Sequence, residues 1–389
     1  MKILCVLAAY SINSNILTDI TVFNGLKKND YEVDLVLLGS DEVYDDFCTK
    51  YKHYFNHIYF IKICRTIKSL NGLLKMPYLL WCNIVGDYFS RPYKRKKLKI
   101  HDLSGKEYDF VLALCPPSLT AFFARDLIKK NKLEGIRYIQ YWSDPLSIGM
   151  CNDVDKLPLK RIFHHWIEKH LLKDADRVVY CYQLLCIMQK RLYPKFADKM
   201  FWTDVSYIER EDISTTKEQT DQIKIGLFGA YQKNIRNILP LLEAIKSFPN
   251  VTFIIRGDTD ICIDPSEYSN LDIEFERKPY NEIQKLENDC DILLSLGSLS
   301  GVNTPAGKTF YYANINKPIV YIGDGRHKEF FADYLKELNR YIVCDNNVQS
   351  IKNAIREALT VLPTFTLSIP ERLKPENVAK RIILTKNDV

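Results

Sequence analysis

Gly307 and Lys308 lie in GVNTPAGKTFYY, residues 301 to 312, and a Gly-Lys-Thr tripeptide can hold phosphate. A Walker loop needs Gly, four residues, then Gly-Lys-Ser/Thr, because that spacing wraps backbone N–H groups around the phosphates and aims the Lys at them. Here five residues separate Gly301 from Gly307, and the nearest downstream strand-end acid, Asp324, follows after only one short helix. Both features argue against a P-loop. Thr304 followed by Pro305 instead predicts a helix start, with Thr as cap and Pro at the first helical position. Free amides at such a terminus, close approach at Gly307 and the charge of Lys308 suit a diphosphate. The plain alternative is a capped helix whose Lys faces solvent.

Other residues could do chemistry at strand ends. Asp144, in YWSDP after the run RYIQYW, is placed to act as a general base; Asp-Pro is equally a turn starter. Ser14 and Asn15, after the first strand, could bind acceptor or phosphate, or simply cap a polar loop. Arg256, beside Gly257, either points into a ligand cleft or pairs locally. The Asp-x-Asp segments DVD (153 to 155) and DTD (258 to 260) read as turns, so no metal is expected. His164, His165 and His170 share a long amphipathic helix without the H-E-x-x-H spacing, and read as helix surface or packing.

These residues belong to a chain of 389 amino acids, 47% hydrophobic and 26% charged, which suits two globular domains. Its eleven cysteines are scattered, odd in number and never in a C-x-x-C pair. They read as small core residues in a reducing cytosol. MKILCVLAAY reads as a first buried strand and not a signal peptide. The stretch from 69 to 89 is interrupted by Asn71, Lys75, Pro77 and Asn83, and falls short of the roughly 20 apolar residues a membrane span requires.

Charge is concentrated. Residues 51 to 100 carry eleven Lys or Arg against the single acid Asp87. Arg91, Lys94, Arg95, Lys96 and Lys97, interleaved with Trp81, Tyr88, Phe89 and Tyr93, predict an anionic membrane patch or a solvated basic loop. Nucleic acid is not expected, since no reading module is recognisable.

The elements that must position these groups repeat one grammar twice. Apolar runs at 2 to 9, 32 to 38, 57 to 63, 109 to 115, 137 to 142 and 177 to 181 alternate with helical patterns such as ILTDITVFNGLKK and LKRIFHHWIEKHLLKDA. The polar segment 209 to 222 predicts a linker. Runs then restart at 223 to 230, 251 to 257, 272 to 277, 291 to 297, 317 to 324 and 340 to 345. This predicts an α/β fold: two Rossmann-like, doubly wound domains, 1–208 and 223–365, facing an interdomain cleft at the carboxyl ends of their strands. The tail, 366–389, is expected to cross back onto the first domain.

NTPAGKTFYYANINKPIVYIGDG resembles the donor-site segment of group 1 (GT-B fold) glycosyltransferases of the bacterial polysaccharide type. WIEKHLLKDADRVVYCYQ, IKIGLFGAYQKNIRNILPLLEAI and YNEIQKLENDCDILLSL resemble, in order, the close of the first domain, the opening of the donor domain and the strand before the donor motif. The resemblance covers about residues 160 to 325, and the first domain only by layout. It implies a nucleotide diphosphate-sugar held by the second domain, with Lys308, Gly307 and Thr304 at the diphosphate. Gly229 would allow close approach, Lys233 or Arg236 would add charge, and Tyr280 would lie near the base.

The chain also departs from the family. Asn303 and Tyr311 stand where retaining members carry a Glu pair, Ala230 replaces a basic residue, and SINSN replaces a glycine-rich loop. The resulting expectation is a cytoplasmic, metal-independent glycosyltransferase without a resident cofactor. Its acceptor would be a saccharide or lipid-linked molecule at the inner membrane face, in surface polysaccharide synthesis. A sugar-nucleotide epimerase on the same fold, or a non-catalytic nucleotide-sugar-binding subunit, are the alternatives.

Overall fold

The computed structural model describes the chain except for residues 10–15, 64–97, 101–102, 104, 116, 134, 149–157, 210–221, 277, 300–304 and 385–389, and the Tyr280 side chain. Ser14, Asn15, Arg91, Lys94, Arg95, Lys96, Lys97 and Thr304 therefore lie outside the described residues, as does nearly all of the expected linker. The chain divides into two compact units. One is Met1–Ser206 with the C-terminal segment from Lys374; the other is Tyr207–Leu373.

The first unit is built on β1 (Lys2–Ala8), β2 (Glu32–Gly39), β3 (His57–Lys62), β4 (Phe110–Cys115), β5 (Arg137–Trp142), β6 (Arg177–Tyr180) and β7 (Met200–Trp202), all parallel in the order 3-2-1-4-5-6-7. Helices cover both faces of such a sheet, so its inner strands are apolar on both sides. Every residue of β1 after Lys2 is buried. Packed on the sheet are α1 (Ile16–Lys28), α2 (Asp41–Tyr51), α3 (Leu119–Asn131), α4 (Pro158–Asp174) and α5 (Gln183–Leu192). The switch in strand order falls between β1 and β4, where ligands of open α/β sheets bind. β7 is a strand of three residues, too short to leave a periodic signal.

The second unit holds β8 (Ile223–Phe228), β9 (Val251–Arg256), β10 (Leu271–Glu274), β11 (Ile292–Leu296), β12 (Ile319–Gly323) and β13 (Ile342–Asp345) in the order 10-9-8-11-12-13. Its helices are α6 (Leu239–Ile245), α7 (Tyr280–Asp289), α8 (Gly307–Tyr311), α9 (Lys328–Glu337) and α10 (Val348–Val361). Ile351, Ile355 and Ala358 of α10 join Leu241, Leu242 and Ile245 of α6 in a core under Ile225, Phe253 and Leu294. Asn347 caps α10 by accepting the Ser350 amide at 2.9 Å, a cap worth about 1 kcal/mol. The last helix, α11 (Pro375–Ile383), belongs to the first unit and packs on α1. Among the described residues no helix is long and apolar enough to cross a membrane.

Candidate functional site

Most of the candidate residues of each unit lie in loops at the carboxyl edge of its own sheet. In the second unit β8 runs into Gly229 and β9 into Gly257, both at φ 145°, a backbone region that L side chains rarely enter. The two loops run side by side and extend the parallel pairing to a bridge between Tyr231 and Thr259. Gly229 N–H donates to the Arg256 carbonyl at 2.9 Å, and a Cβ on Gly257 would overlap the Gly229 carbonyl oxygen. Gly229 itself is open: the nearest atom to a Cβ there would be Tyr231 Oη at 3.9 Å. Among the described residues Gly229 is thus uncovered on its Cα side, beside the β8/β11 switch point, as a site for close ligand approach requires.

The loop after β8 carries two cations. Lys233 is exposed, and its amide donates to Asp260 Oδ1 at 2.8 Å. Thr259 Oγ1 accepts the Ile261 amide at 3.0 Å, a local turn bond, whereas Asp260 ties this loop to the one after β8. Arg236 folds back, donating to the Ala230 carbonyl at 3.4 Å. Its charge opposes the burial that raises the hydroxyl pKa values of Tyr231 and Tyr321. The loop after β11 is tied to the same place by the Leu299 amide, 2.7 Å from the Ile235 carbonyl. Gly229, Lys233 and Arg236 are thus brought together on one loop.

The helix that carries Lys308 does not start where the sequence predicts. The helix begins at Gly307 with Ala306 at its cap, so Pro305 is not its first residue, and it spans only five residues. Lys308 Nζ lies 2.7 Å from Glu287 Oε1, a carboxylate with no solvent exposure that also accepts the Tyr312 hydroxyl at 2.7 Å. Its ammonium stands 5.5 Å from the Phe228 ring at the end of β8. The Lys therefore sits at the carboxyl edge with its charge matched by Glu287. Buried Thr309 bonds Ser295 of β11 at 2.6 Å, and Arg340, 6% exposed, donates to the carbonyls of Ala313, Ile315 and Lys317. Together these fix the segment after α8 against the sheet.

Arg256 follows the local alternative. It is 4% exposed and turns to β10, with Nη2 at 2.7 Å from Asp272 Oδ2 and Nη1 at 2.7 Å from the Asp272 carbonyl. Tyr280 opens α7.

In the first unit Asp144 follows β5 and is half-buried. Its surroundings are held by Glu168 of α4, which is fully buried and accepts the amides of Leu146 (3.0 Å) and Ser147 (3.2 Å), the Tyr193 hydroxyl (2.9 Å) and Gln189 (3.2 Å). Burial pushes the Glu168 carboxyl upward while these bonds pull it back. The Cys181 thiol donates to the Ser143 carbonyl at 3.1 Å, and the Asp144 charge adds to the burial that raises it. Two of the histidines pack against this cluster. His164 bonds the Leu146 carbonyl at 3.2 Å, His165 stacks on Tyr193 and His170 on Trp166.

A third carboxyl was not singled out by sequence reasoning. Asp19, in the first turn of α1, is 4% exposed, and its pKa is raised well above the usual range by burial. It acts electrostatically on Cys5 of β1 and Cys115 of β4, the two strands flanking the switch point. Helical periodicity carries a signal for Glu168, which repeats at four-residue spacing with His164 and Leu172. Asp19, three and four residues before Val22 and Phe23, and Glu287, four residues after Ile283, carry the same signal, but the groups they act on come from other elements.

No family model matches the chain, and no curated protein matches it. Solved structures do. A UDP-N-acetylglucosamine 2-epimerase is similar at TM-score 0.54 and 12% identity, over 98% of this chain and 94% of that one. A glycosyltransferase from Rickettsia africae ESF-5 is similar at TM-score 0.52 and 14% identity, over 100% of this chain and 93% of the other. The glycotransferase of kitacinnamycin is similar at TM-score 0.50 and 13% identity, over 98% and 95%. At such identities the likeness concerns the fold: the chain has the two-sheet α/β fold of the GT-B glycosyltransferases and the UDP-N-acetylglucosamine 2-epimerase.

Proposed function

We propose that the protein is a glycosyltransferase that moves a sugar from a nucleotide diphosphate-sugar to a saccharide or lipid-linked acceptor. Its setting would be bacterial surface polysaccharide synthesis at the cytoplasmic face of the membrane. The observation that carries this reading is the open Gly229 peptide at the carboxyl edge of the second unit, beside the cationic loop of Lys233 and Arg236. A diphosphate could approach closely where Gly229 has no side chain and would meet two cations, which stabilise the charge developing on the leaving group. Lys308 would contribute through its shared pair with Glu287, Gly307 would permit approach, and Tyr280 would lie near the base. Asp144 is the proposed general base of the first unit, positioned by Glu168, with Asp19 as a second proton-holding carboxyl. Turnover is expected to survive chelation of divalent metal.

The test is thermal stabilisation by UDP, GDP, CMP, dTDP, ADP and ATP, with and without Mg²⁺. Stabilisation by one nucleoside diphosphate, with Lys233→Ala weakening its affinity about tenfold, is expected from the loss of a charge-assisted contact. Response only to ATP with Mg²⁺ would overturn the reading. The fold likeness to a 2-epimerase supports a second reading, which conversion of a UDP-sugar to its epimer without any acceptor would favour.

A further inference from the structure

Helix α4 of the first unit presents an unusual outer face. Large apolar side chains are mostly buried, yet Leu159 is 55% exposed, Ile162 65% and Trp166 47%. Their spacing, i, i+3, i+7, puts them on one side of the helix. The opposite side carries buried His164, Ile167, Glu168, Leu171 and Leu172. Continuing the outer spacing by three, four and seven residues gives Lys169, His170 and Lys173, all exposed. The face is therefore apolar over its first half and cationic over its second.

The cationic half leads into a pocket. A cavity of about 390 Å³ is lined by Arg125, Lys129 and Lys130 of α3 and His170 of α4, with Leu98 and Asp126. Arg125 is a built part of it: the side chain is 9% exposed, with Nη1 3.3 Å from Asp174 Oδ2. Its buried Nε has no hydrogen-bond partner among the described residues, Asp126 Oδ1 standing 3.9 Å away. With Lys129 and Lys130, Arg125 gives the pocket three permanent cations, which attract an anion. Five permanent cations on the face and in the pocket, Lys169, Lys173, Arg125, Lys129 and Lys130, stand against Asp126 and Asp174.

We propose that the outer face of α4 docks on an anionic lipid surface, its apolar half entering the interface and the adjoining pocket taking a headgroup phosphate. Apolar side chains ending in an aromatic, continuous with Lys and Arg, match the layered chemistry of such a surface, acyl chains beneath phosphates. Trp166 is the interface residue, its indole amphipathic and stacked on His170 at 5.9 Å. The excess of cations selects a phosphate-bearing surface over an apolar protein groove. Such docking does not depend on sugar transfer.

The experiment is co-sedimentation of the full chain, without nucleotide, with vesicles of phosphatidylcholine alone and of equimolar phosphatidylglycerol and phosphatidylcholine. Binding is expected to the anionic vesicles only and to fall steeply with added salt. Trp166→Glu, an exposed position that leaves the core intact, is expected to weaken binding at least tenfold, and Lys129→Glu with Lys130→Glu to do the same. Unchanged melting would show both variants to be folded. Undiminished vesicle binding in both variants overturns the proposal and assigns lipid contact to another surface. So does absence of binding by the parent, or a dimer that Trp166→Glu converts to monomer without vesicles, which would make this face a protein interface. Inorganic phosphate that stabilises the parent through Lys129 and Lys130 while vesicles do not bind would overturn the lipid assignment in favour of a soluble anion.

Discussion

The His164 ring, 2% exposed and joined to the Leu146 carbonyl at 3.2 Å, has its pKa lowered to about 4, first by burial and then by the charge of Lys160. In the unfolded chain it titrates near 6.5. Below that pH the unfolded state takes up a proton that the folded state refuses, so the stability contribution is full above 6.5 and is lost as pH falls toward 4. At about 1.4 kcal/mol per unit the loss approaches about 3 kcal/mol. Glu168 works with opposite sign: its raised carboxyl makes the folded state bind a proton more readily, which adds stability as pH falls. The parent should therefore be compared with His164→Gln in urea titrations from pH 7 to 4. The gap between them should move against the parent by a few kcal/mol; a constant gap would mean that the imidazole is not held neutral. Such pairs were partly legible in the sequence. The helix wheel puts His164 and Glu168 on the buried side, but only the turn after β5 supplies the amides that make a buried carboxylate tolerable. The partner of Lys308 was not legible at all, because Glu287 lies 21 residues earlier on another helix.

Elements were easier to read than residues, for a physical reason. Strands inside a parallel sheet are buried on both faces and leave unbroken apolar runs, so KILCVLA and IKIGLF announce themselves. The start of α8 did not, since Thr304-Pro305 carries a strong local capping signal while the observed helix begins at Gly307. Tertiary contacts, the Ser295 to Thr309 bond and the Arg340 cluster on the following carbonyls, fix that segment. The glycines after β8 and β9 show the same dependence. Sequence reasoning expected Gly229 to admit a ligand, but Gly257 is required by its neighbour: any Cβ there overlaps the Gly229 carbonyl, in a backbone region already adverse for L residues. Gly257→Ala should destabilise the second unit by about 2–4 kcal/mol, from strain and displaced backbone together, and should abolish stabilisation by nucleotide. Gly229→Ala lacks the clash and should cost about 1–3 kcal/mol from backbone strain alone. Equal losses in thermal unfolding would mean that the two loops are not packed against each other as described.

At the scale of the molecule, the first unit is closed by the far end of the chain. Helix α11 buries Val378, Ala379, Ile382 and Ile383, and Asn29 donates to the Glu376 carbonyl at 2.9 Å across 347 residues of sequence. Arg381 adds an ion pair at 2.9 Å to Asp204, which is 1% exposed. The contact depends on Gly25, where the backbone of α11 comes so close to α1 that a Cβ would overlap the Pro375 carbonyl oxygen and stand 2.8 Å from the Ala379 methyl. Gly25→Val should overpack this junction and cost about 1–3 kcal/mol. For a unit of about 200 residues each kcal/mol lowers the melting temperature by roughly 2–4 °C. Ala379→Gly in the same chain should restore little, because it removes the methyl conflict and leaves the backbone one. Nucleotide stabilisation of the second unit should persist in both variants. Calorimetry of the parent and the two variants separates the cases: unaltered melting in Gly25→Val would mean that α11 does not hold the first unit closed, whereas full rescue by Ala379→Gly would mean that the Ala379 methyl, and not the Pro375 carbonyl, sets the distance between the helices.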